Sequence, residues 1–144
     1  ENAMQMLRLI HFEQGFQILD KARKTYGFEI NLSEVARIWQ GGCIIRSRIL
    51  GDIEAYYRSG FASLYSSNFA IELIKKGERS LRNVLSVSVN YGLPMIVFSS
   101  GLTHFDYSRR SNLTTNLIQG MRDAFGSHGY KRVDKEGSYH TNWE

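Results

Sequence analysis

The sequence lacks the features that mark several common classes of protein. Cys43 is the single cysteine among 144 residues, which excludes an intrachain disulfide, and no cysteine–histidine cluster has the spacing of a metal site. No apolar run reaches the ~18 residues of a membrane-spanning helix, and the N-terminus lacks the plan of a signal peptide. No glycine-rich dinucleotide fingerprint follows a strand. We therefore expect a cytoplasmic protein with no membrane partner and no metal.

The amino-acid composition is that of an ordinary globular protein. Hydrophobic residues make up 42% of the chain and charged residues 22%, and the length suits one domain with a sizeable core. The formal net charge of +4 comes from Lys and Arg scattered over many segments, which argues against a nucleic-acid partner. A small positive charge suits an anionic small-molecule ligand. A basic helical nucleic-acid binder is thus the least supported alternative.

Apolar residues recur at helical spacing along most of the chain, and no segment alternates as a strand would. The pattern predicts an all-α protein of about six helices. Gly27 is expected to end the first helix, Asn31 or Ser33 to begin the second, and Gly77 to separate two later ones. The predicted segments are 3–26, 32–57 with an interruption at Gly41-Gly42, 69–76, 78–91, 95–109, and one from 112 or 114 to 125.

The stretch Trp39–Leu50 is predicted to form the central helix of the core, with the other helices packed around it. Each of two adjacent glycines costs roughly 1 kcal/mol in a helix interior, so the pair marks a junction or a close helix crossing. A second helical half is expected to run from Cys43 to Tyr57. Arg46 is expected to be drawn into the core as one member of a structural ion pair, since a buried arginine must have a partner.

Arg122 and His128 are the strongest candidates for ligand binding. They stand six residues apart on either side of a predicted helix end at Gly126. A guanidinium offers planar, bidentate donors to a phosphate, and an imidazole can add a second contact. The residues alone leave an alternative open, in which Arg122 is an ordinary surface arginine and His128 a solvated loop histidine.

Residues 127–144, which we call the tail, show no apolar period and have mixed charge. Such a segment is disordered by default. Tyr139 and Trp143 are costly to leave in water, however, and suggest an anchor docked in a pocket. The residues alone do not decide between these two alternatives.

Several motifs carry a resemblance that spans almost the whole chain. They are WQGGCIIRSR at 39–48, FSS at 98–100, NLIQ at 116–119, RDAFGSH at 122–128 and HTNW at 140–143. Together they resemble the C-terminal helical domain of decarboxylating 6-phosphogluconate dehydrogenases. The resemblance implies an all-α, multi-helix domain over 1–126, with an extended C-terminal tail over 127–144 that docks on a partner subunit.

The resemblance also implies roles for the candidate residues. In this family the RDxFGxH segment supplies an arginine and a histidine that contact the substrate phosphate in the neighbouring subunit. The match gives these roles to Arg122 and His128 and implies a homodimer with tail exchange. The chain departs from the family at Ala124, where tyrosine is usual, and around Ser127 and Gly129.

The implied function is that of the C-terminal dimerisation and substrate-phosphate-binding portion of the enzyme. The family converts 6-phosphogluconate and NADP to ribulose 5-phosphate, carbon dioxide and NADPH in the pentose phosphate pathway. Its NADP domain and catalytic residues lie upstream of the part resembled, so we expect no catalytic residue, no cofactor site and no turnover in this chain alone. The alternative is a stand-alone helical dimerisation or binding module without catalysis, which the altered positions Gln40, Ala124 and Gly129 allow.

Overall fold

The computed structural model describes residues 1–60 and 63–143, and these residues form an all-helical protein. The predicted fold class is therefore confirmed. One compact unit ends at Phe105 and a second begins at Asp106. The division predicted at Gly126 between a helical domain and a tail stays a prediction. The helices are α1 (Asn2–Tyr26), α2 (Leu32–Trp39), α3 (Ile49–Arg58), α4 (Asn68–Asn90), α5 (Ile96–Ser108) and α6 (Thr115–Gly126), with a 3-10 turn at Leu64–Ser66.

Local signals place several helix ends where the sequence predicts them. Gly27 adopts a φ of 70° at the end of α1 and donates its backbone N–H to the Arg23 carbonyl. Asn31, rather than Ser33, begins α2: its side-chain oxygen accepts hydrogen bonds from the backbone N–H groups of Ser33 at 3.0 Å and Glu34 at 3.3 Å. These caps satisfy backbone groups that a helix leaves unpaired.

The glycine pair is a junction, as predicted, but the helix that follows it begins later than expected. α2 ends at Trp39 and α3 begins only at Ile49, with turns between them. Gly42 has a φ of 70°, which takes the chain out of helical geometry. The expectation for Arg46 is wrong: its side chain is exposed in this turn and has no ion pair within the described residues. An arginine in a solvated turn keeps its hydration and needs no buried carboxylate.

Gly77 does not separate two helices, which corrects a second prediction. α4 runs through it without a break, and the residue is buried. A Cβ at this position would lie 2.6 Å from the Cβ of Met6 and 2.9 Å from the backbone oxygen of Asn2. The glycine therefore allows α1 and α4 to approach more closely than any side chain would permit.

The main core of the first unit is built from α1, α2, α3 and the start of α4. The prediction that Trp39–Leu50 forms its central helix is wrong, because residues 40–48 are not helical and α3 enters the core only from Ile49 onward. The Phe16 ring is fully buried and lies 5.3 Å from the Trp39 ring and 4.8 Å from the Tyr57 ring, measured between centroids. A second buried cluster joins the start of α1 to α4 and α5. Its buried members are Ala3, Met6, Ile10, Leu81 and Phe105. Burial of these apolar side chains supplies most of the stability of the unit.

One carboxylate is enclosed in this core. Glu13 is fully buried and accepts three hydrogen bonds. Its Oε1 accepts from the Ser63 hydroxyl at 2.6 Å and from the Gln17 amide at 2.7 Å, while Oε2 accepts from the backbone N–H of Leu64 at 2.8 Å. The side chain thereby fastens the segment before α4 to the middle of α1.

Candidate functional site

The end of α6 places both predicted ligand-binding residues. Arg122 lies in the last turns of the helix and His128 in the loop that follows it. Ser127 ends the helix in the left-handed conformation, with a φ of 51°, and its N–H donates to the Asp123 carbonyl at 2.8 Å. The turn at Ser127 therefore directs the chain back toward α6 directly before His128.

Asp123 is the centre of the hydrogen bonding in the second unit. Its side chain is fully buried, and both carboxylate oxygens accept hydrogen bonds from groups in the tail. Oδ1 accepts from the Gly129 backbone N–H at 2.8 Å and from His140 Nδ1–H at 2.9 Å. Oδ2 accepts from the Thr141 backbone N–H at 3.0 Å and from Trp143 Nε1–H at 2.8 Å. One carboxylate thus holds four donors that come from two separate parts of the tail.

These contacts decide the protonation of the Asp123 carboxyl group. Burial by itself raises its pKa, because the charged form loses hydration. The donors from Thr141, His140, Trp143 and Gly129 act in the opposite direction and outweigh burial, so the pKa of Asp123 lies well below its ordinary value. The group therefore stays an anion at neutral pH, which strengthens each bond that it accepts.

The tail forms a folded structure on α6. Tyr130 and Tyr139 pair as an antiparallel bridge, each donating its N–H to the other's carbonyl at 2.8 Å. The Tyr130 hydroxyl lies 2.6 Å from Thr141 Oγ1. A Cβ on Gly120 of α6 would lie 3.9 Å from the Trp143 ring, so the indole covers the helix at that point. The predicted docking of the tail on a partner subunit stays a prediction.

Gln119 connects Arg122 to the loop that carries His128. Its Nε2 donates to the Gly129 carbonyl at 2.6 Å, and its Oε1 accepts from Arg122 Nη1 at 3.1 Å. The loop is thus fixed at Gly129 by two hydrogen bonds, because the carbonyl of this residue accepts from Gln119 and its N–H donates to Asp123. This arrangement restricts the positions that the two candidate side chains can adopt.

Arg122 and His128 are both exposed, and within the described residues no hydrogen bond joins them. The His128 ring packs against the helix end, because a Cβ on Gly126 would lie 3.0 Å from two of its ring atoms. Two donors to an anion therefore stand on one supported helix end, accessible from solvent. Their role as phosphate ligands stays a prediction.

Sequence reasoning did not identify Asp123 or Gln119 as parts of this site. An aspartate beside an arginine usually forms a surface ion pair, and the donors that bind Asp123 lie in a tail with no apolar period. The sequence feature that points toward these contacts is the presence of Tyr139 and Trp143 in the tail, because their aromatic rings favour a docked tail.

Two further absences concern the described residues alone. Within residues 1–60 and 63–143, no group of three histidine, cysteine, aspartate or glutamate side chains is placed so that it could hold a metal ion. Over the same ranges, every helix is either too short or too polar to cross a bilayer.

Comparison with known proteins identifies the family to which this chain belongs. The family model for the C-terminal domain of 6-phosphogluconate dehydrogenase matches residues 1–143. The chain belongs to this family, and the resemblance found in its motifs is confirmed.

Individual relatives agree with the family. The decarboxylating 6-phosphogluconate dehydrogenase of Buchnera aphidicola subsp. Baizongia pistaciae is 41% identical over 98% of this chain and 31% of its own length. The enzyme of the same name from Escherichia coli strain K12 is 36% identical over 98% of this chain and 31% of its own length.

A solved structure extends the comparison to three dimensions. Plasmodium falciparum 6-phosphogluconate dehydrogenase, described in its apo form and in complexes with its cofactor NADP+ and its substrate 6-phosphogluconate, matches with a TM-score of 0.90 and 38% identity. The match covers 99% of this chain and 31% of the other. The chain thus spans less than a third of the length of the proteins it resembles.

Proposed function

We propose that this chain is the dimerisation and substrate-phosphate-binding portion of a cytoplasmic, decarboxylating 6-phosphogluconate dehydrogenase. The proposed reaction converts 6-phosphogluconate and NADP to ribulose 5-phosphate, carbon dioxide and NADPH. The observation that carries the proposal is the supported helix end with exposed Arg122 and His128, in a chain of this family. NADP is proposed to bind outside the residues of this chain.

The proposed substrate contact uses the Arg122 guanidinium and the His128 imidazole. A guanidinium presents two parallel N–H donors to phosphate oxygens, and a histidine beside a dianion favours its charged form. Gln119 and Asp123 act as positioning residues, since they hold Arg122 and the Gly129 peptide without contacting the phosphate. The chain contributes binding energy and orientation rather than redox chemistry.

Replacing Arg122 by glutamine is expected to raise KM for 6-phosphogluconate by roughly 10- to 100-fold, with a smaller effect on kcat. A lost charge-assisted contact costs about 1.5–3 kcal/mol, and the phosphate is bound equally in the ground and transition states. The measurement is steady-state NADPH formation by a chimera in which this chain replaces the matching part of the Escherichia coli relative.

Arg110→Gln is the matched control, because Arg110 is also exposed in the second unit and loses the same charge. The control variant is expected to keep its KM within twofold of that of the parent chimera. If Arg122→Gln and Arg110→Gln raise KM equally, the effect comes from net charge and the phosphate contact does not exist.

The dimer part of the proposal is supported by an apolar stripe on α6. Leu117, Ile118, Met121 and Phe125 share one face of the helix, and between 47% and 83% of each residue is exposed. Such a face is costly in water and is proposed to be covered by a second copy of the chain, with exchange of the tail.

Phe125→Asp is expected to convert a dimer to a monomer in sedimentation equilibrium, because a buried, unpaired carboxylate opposes association. Phe28→Asp is the control, since Phe28 is an exposed phenylalanine of the first unit. A monomeric parent chain at all accessible concentrations, or equal dissociation by both variants, would contradict the proposed interface.

A further inference from the structure

A concave surface of the first unit gathers three arginines. Arg8 comes from α1, whereas Arg46 and Arg48 come from the turn between α2 and α3. They line a cavity of about 700 Å³, together with Ser47 and other polar side chains. Glu1 is the single acidic residue among the lining residues in the described part of the chain. The wall therefore carries three positive charges against one negative charge.

These arginines differ from Arg23 and Arg37 of the same unit in having no carboxylate partner within the described residues. Arg23 pairs with Asp20 and Arg37 with Glu34, both at 2.7 Å. Within residues 1–60 and 63–143, no ion pair and no side-chain hydrogen bond involves the guanidinium groups of the three cavity arginines. Like charges that face one cavity repel one another, and an anion placed among them relieves that repulsion.

An apolar cavity adjoins the cationic one. It has a volume of about 350 Å³ and shares Arg8, Arg46 and Ser47 with its neighbour. Its remaining wall includes the side chains of Trp39 and Ile44, and Ile44 is fully exposed to solvent. An exposed isoleucine beside a half-buried indole is an apolar surface that a ligand of matching shape would shield from water.

We propose that these adjoining cavities bind an organic phosphate such as a nucleoside diphosphate. The phosphates lie among Arg8, Arg46 and Arg48, whose guanidinium groups donate bidentate hydrogen bonds. The flat, apolar part of the ligand rests against Trp39. Both volumes fall within the ~300–1,000 Å³ typical of small-molecule sites. The site uses residues other than Arg122 and His128 and does not depend on the function proposed for them.

Titration of the 144-residue chain with ADP and with inorganic pyrophosphate, followed by calorimetry, tests the proposal. Both probes are expected to bind at one site per chain, and ADP more tightly, because pyrophosphate lacks the apolar part. ADP is also expected to shift the indole N–H resonance of Trp39 in an NMR spectrum. The double variant Arg46→Gln/Arg48→Gln is expected to weaken ADP binding at least about tenfold.

Matched variants separate this site from general charge effects and from the α6 site. Arg23→Gln/Arg37→Gln loses the same two charges from carboxylate-paired positions outside both cavities and is expected to keep the parent affinity within about twofold. Arg122→Gln is also expected to retain ADP binding, whatever its effect on 6-phosphogluconate. Unchanged circular dichroism and Tm verify that each variant folds, and Arg8→Gln provides an independent change on α1.

Several results would overturn the proposal. One is the absence of measurable heat with either probe at millimolar concentration. If the two double variants weakened ADP binding equally, the effect would come from net charge and not from a specific site. Loss of ADP binding in Arg122→Gln would assign the ligand to the second unit, and equal affinity for pyrophosphate and ADP would remove the contact with Trp39.

Discussion

Replacing Glu13 by alanine is expected to lower the free energy of unfolding by about 3 kcal/mol. The substitution leaves the Leu64 N–H and the Ser63 hydroxyl inside the first unit without their acceptor. An unsatisfied buried donor costs about 1–3 kcal/mol, and the lost side-chain volume adds a cavity. Urea denaturation followed by circular dichroism measures the change.

Two companion variants make the Glu13 prediction specific. Gln17→Ala removes one donor to the same carboxylate from an exposed residue and is expected to cost less than about 1 kcal/mol. Glu13→Gln keeps the shape of the side chain but turns one acceptor into a donor. The free energy of unfolding that it loses should therefore lie between the losses of Gln17→Ala and Glu13→Ala. A cost below about 1 kcal/mol for Glu13→Ala would show that the segment before α4 does not depend on this carboxylate.

Replacing Asp123 by alanine is expected to detach the tail from α6. All four donors that the carboxylate accepts lose their partner at once, and two of them are the backbone N–H groups of Gly129 and Thr141. Hydrogen exchange at these two amides is expected to accelerate at least about tenfold, while amides of α1 remain unaffected. In the chimera, KM for 6-phosphogluconate should rise although Asp123 does not contact the phosphate.

The same carboxylate predicts how the tail responds to acid. Because the pKa of Asp123 is lower in the folded chain than in the unfolded chain, its contribution to stability is complete above the ordinary aspartate value, about 4. The contribution declines as the pH falls below that value, since the unfolded state then binds the proton more readily. Protection of the Gly129 and Thr141 amides should therefore decrease below about pH 4 in the parent and stay low throughout in Asp123→Ala.

Asp134→Ala is the matched control for Asp123→Ala. Asp134 lies in the same tail and pairs with Arg132 at 2.6 Å, but it is exposed. Exposed pairs contribute little to stability, so its loss should leave the exchange rates of Gly129 and Thr141 unchanged. If both variants accelerate exchange equally, the tail is held by its general charge balance and the proposed role of Asp123 is wrong.

The sequence predicts the helices of this protein better than it predicts how they pack. Apolar spacing and caps such as Gly27 and Asn31 act locally, so a single sequence displays them. Gly77 illustrates the limit: a glycine at a helix end and a glycine at a helix crossing have the same local signature. Only the position of Met6 on another helix distinguishes them.

The candidate site also separates residues that the sequence indicates from residues that only the fold brings together. Arg122 and His128 were predicted because their residue types match a phosphate clamp and a family motif, and their role as ligands stays a prediction. Asp123 and Gln119 were missed because their partners, such as Thr141 and Gly129, contribute backbone groups, which leave no trace in residue identity. The Glu13 carboxylate likewise accepts from a hydroxyl, a side-chain amide and a backbone N–H.

The four donors on Asp123 have a consequence for association. Fixing a loose segment costs roughly 1–2 kcal/mol of backbone entropy for each residue, and a disordered arm meets that cost when it finds its target. Here the turn after α6 and the Tyr130–Tyr139 bridge already hold the segment in place within the single chain. Any encounter that uses this segment therefore begins with a preorganised surface, and its affinity is not reduced by a folding step.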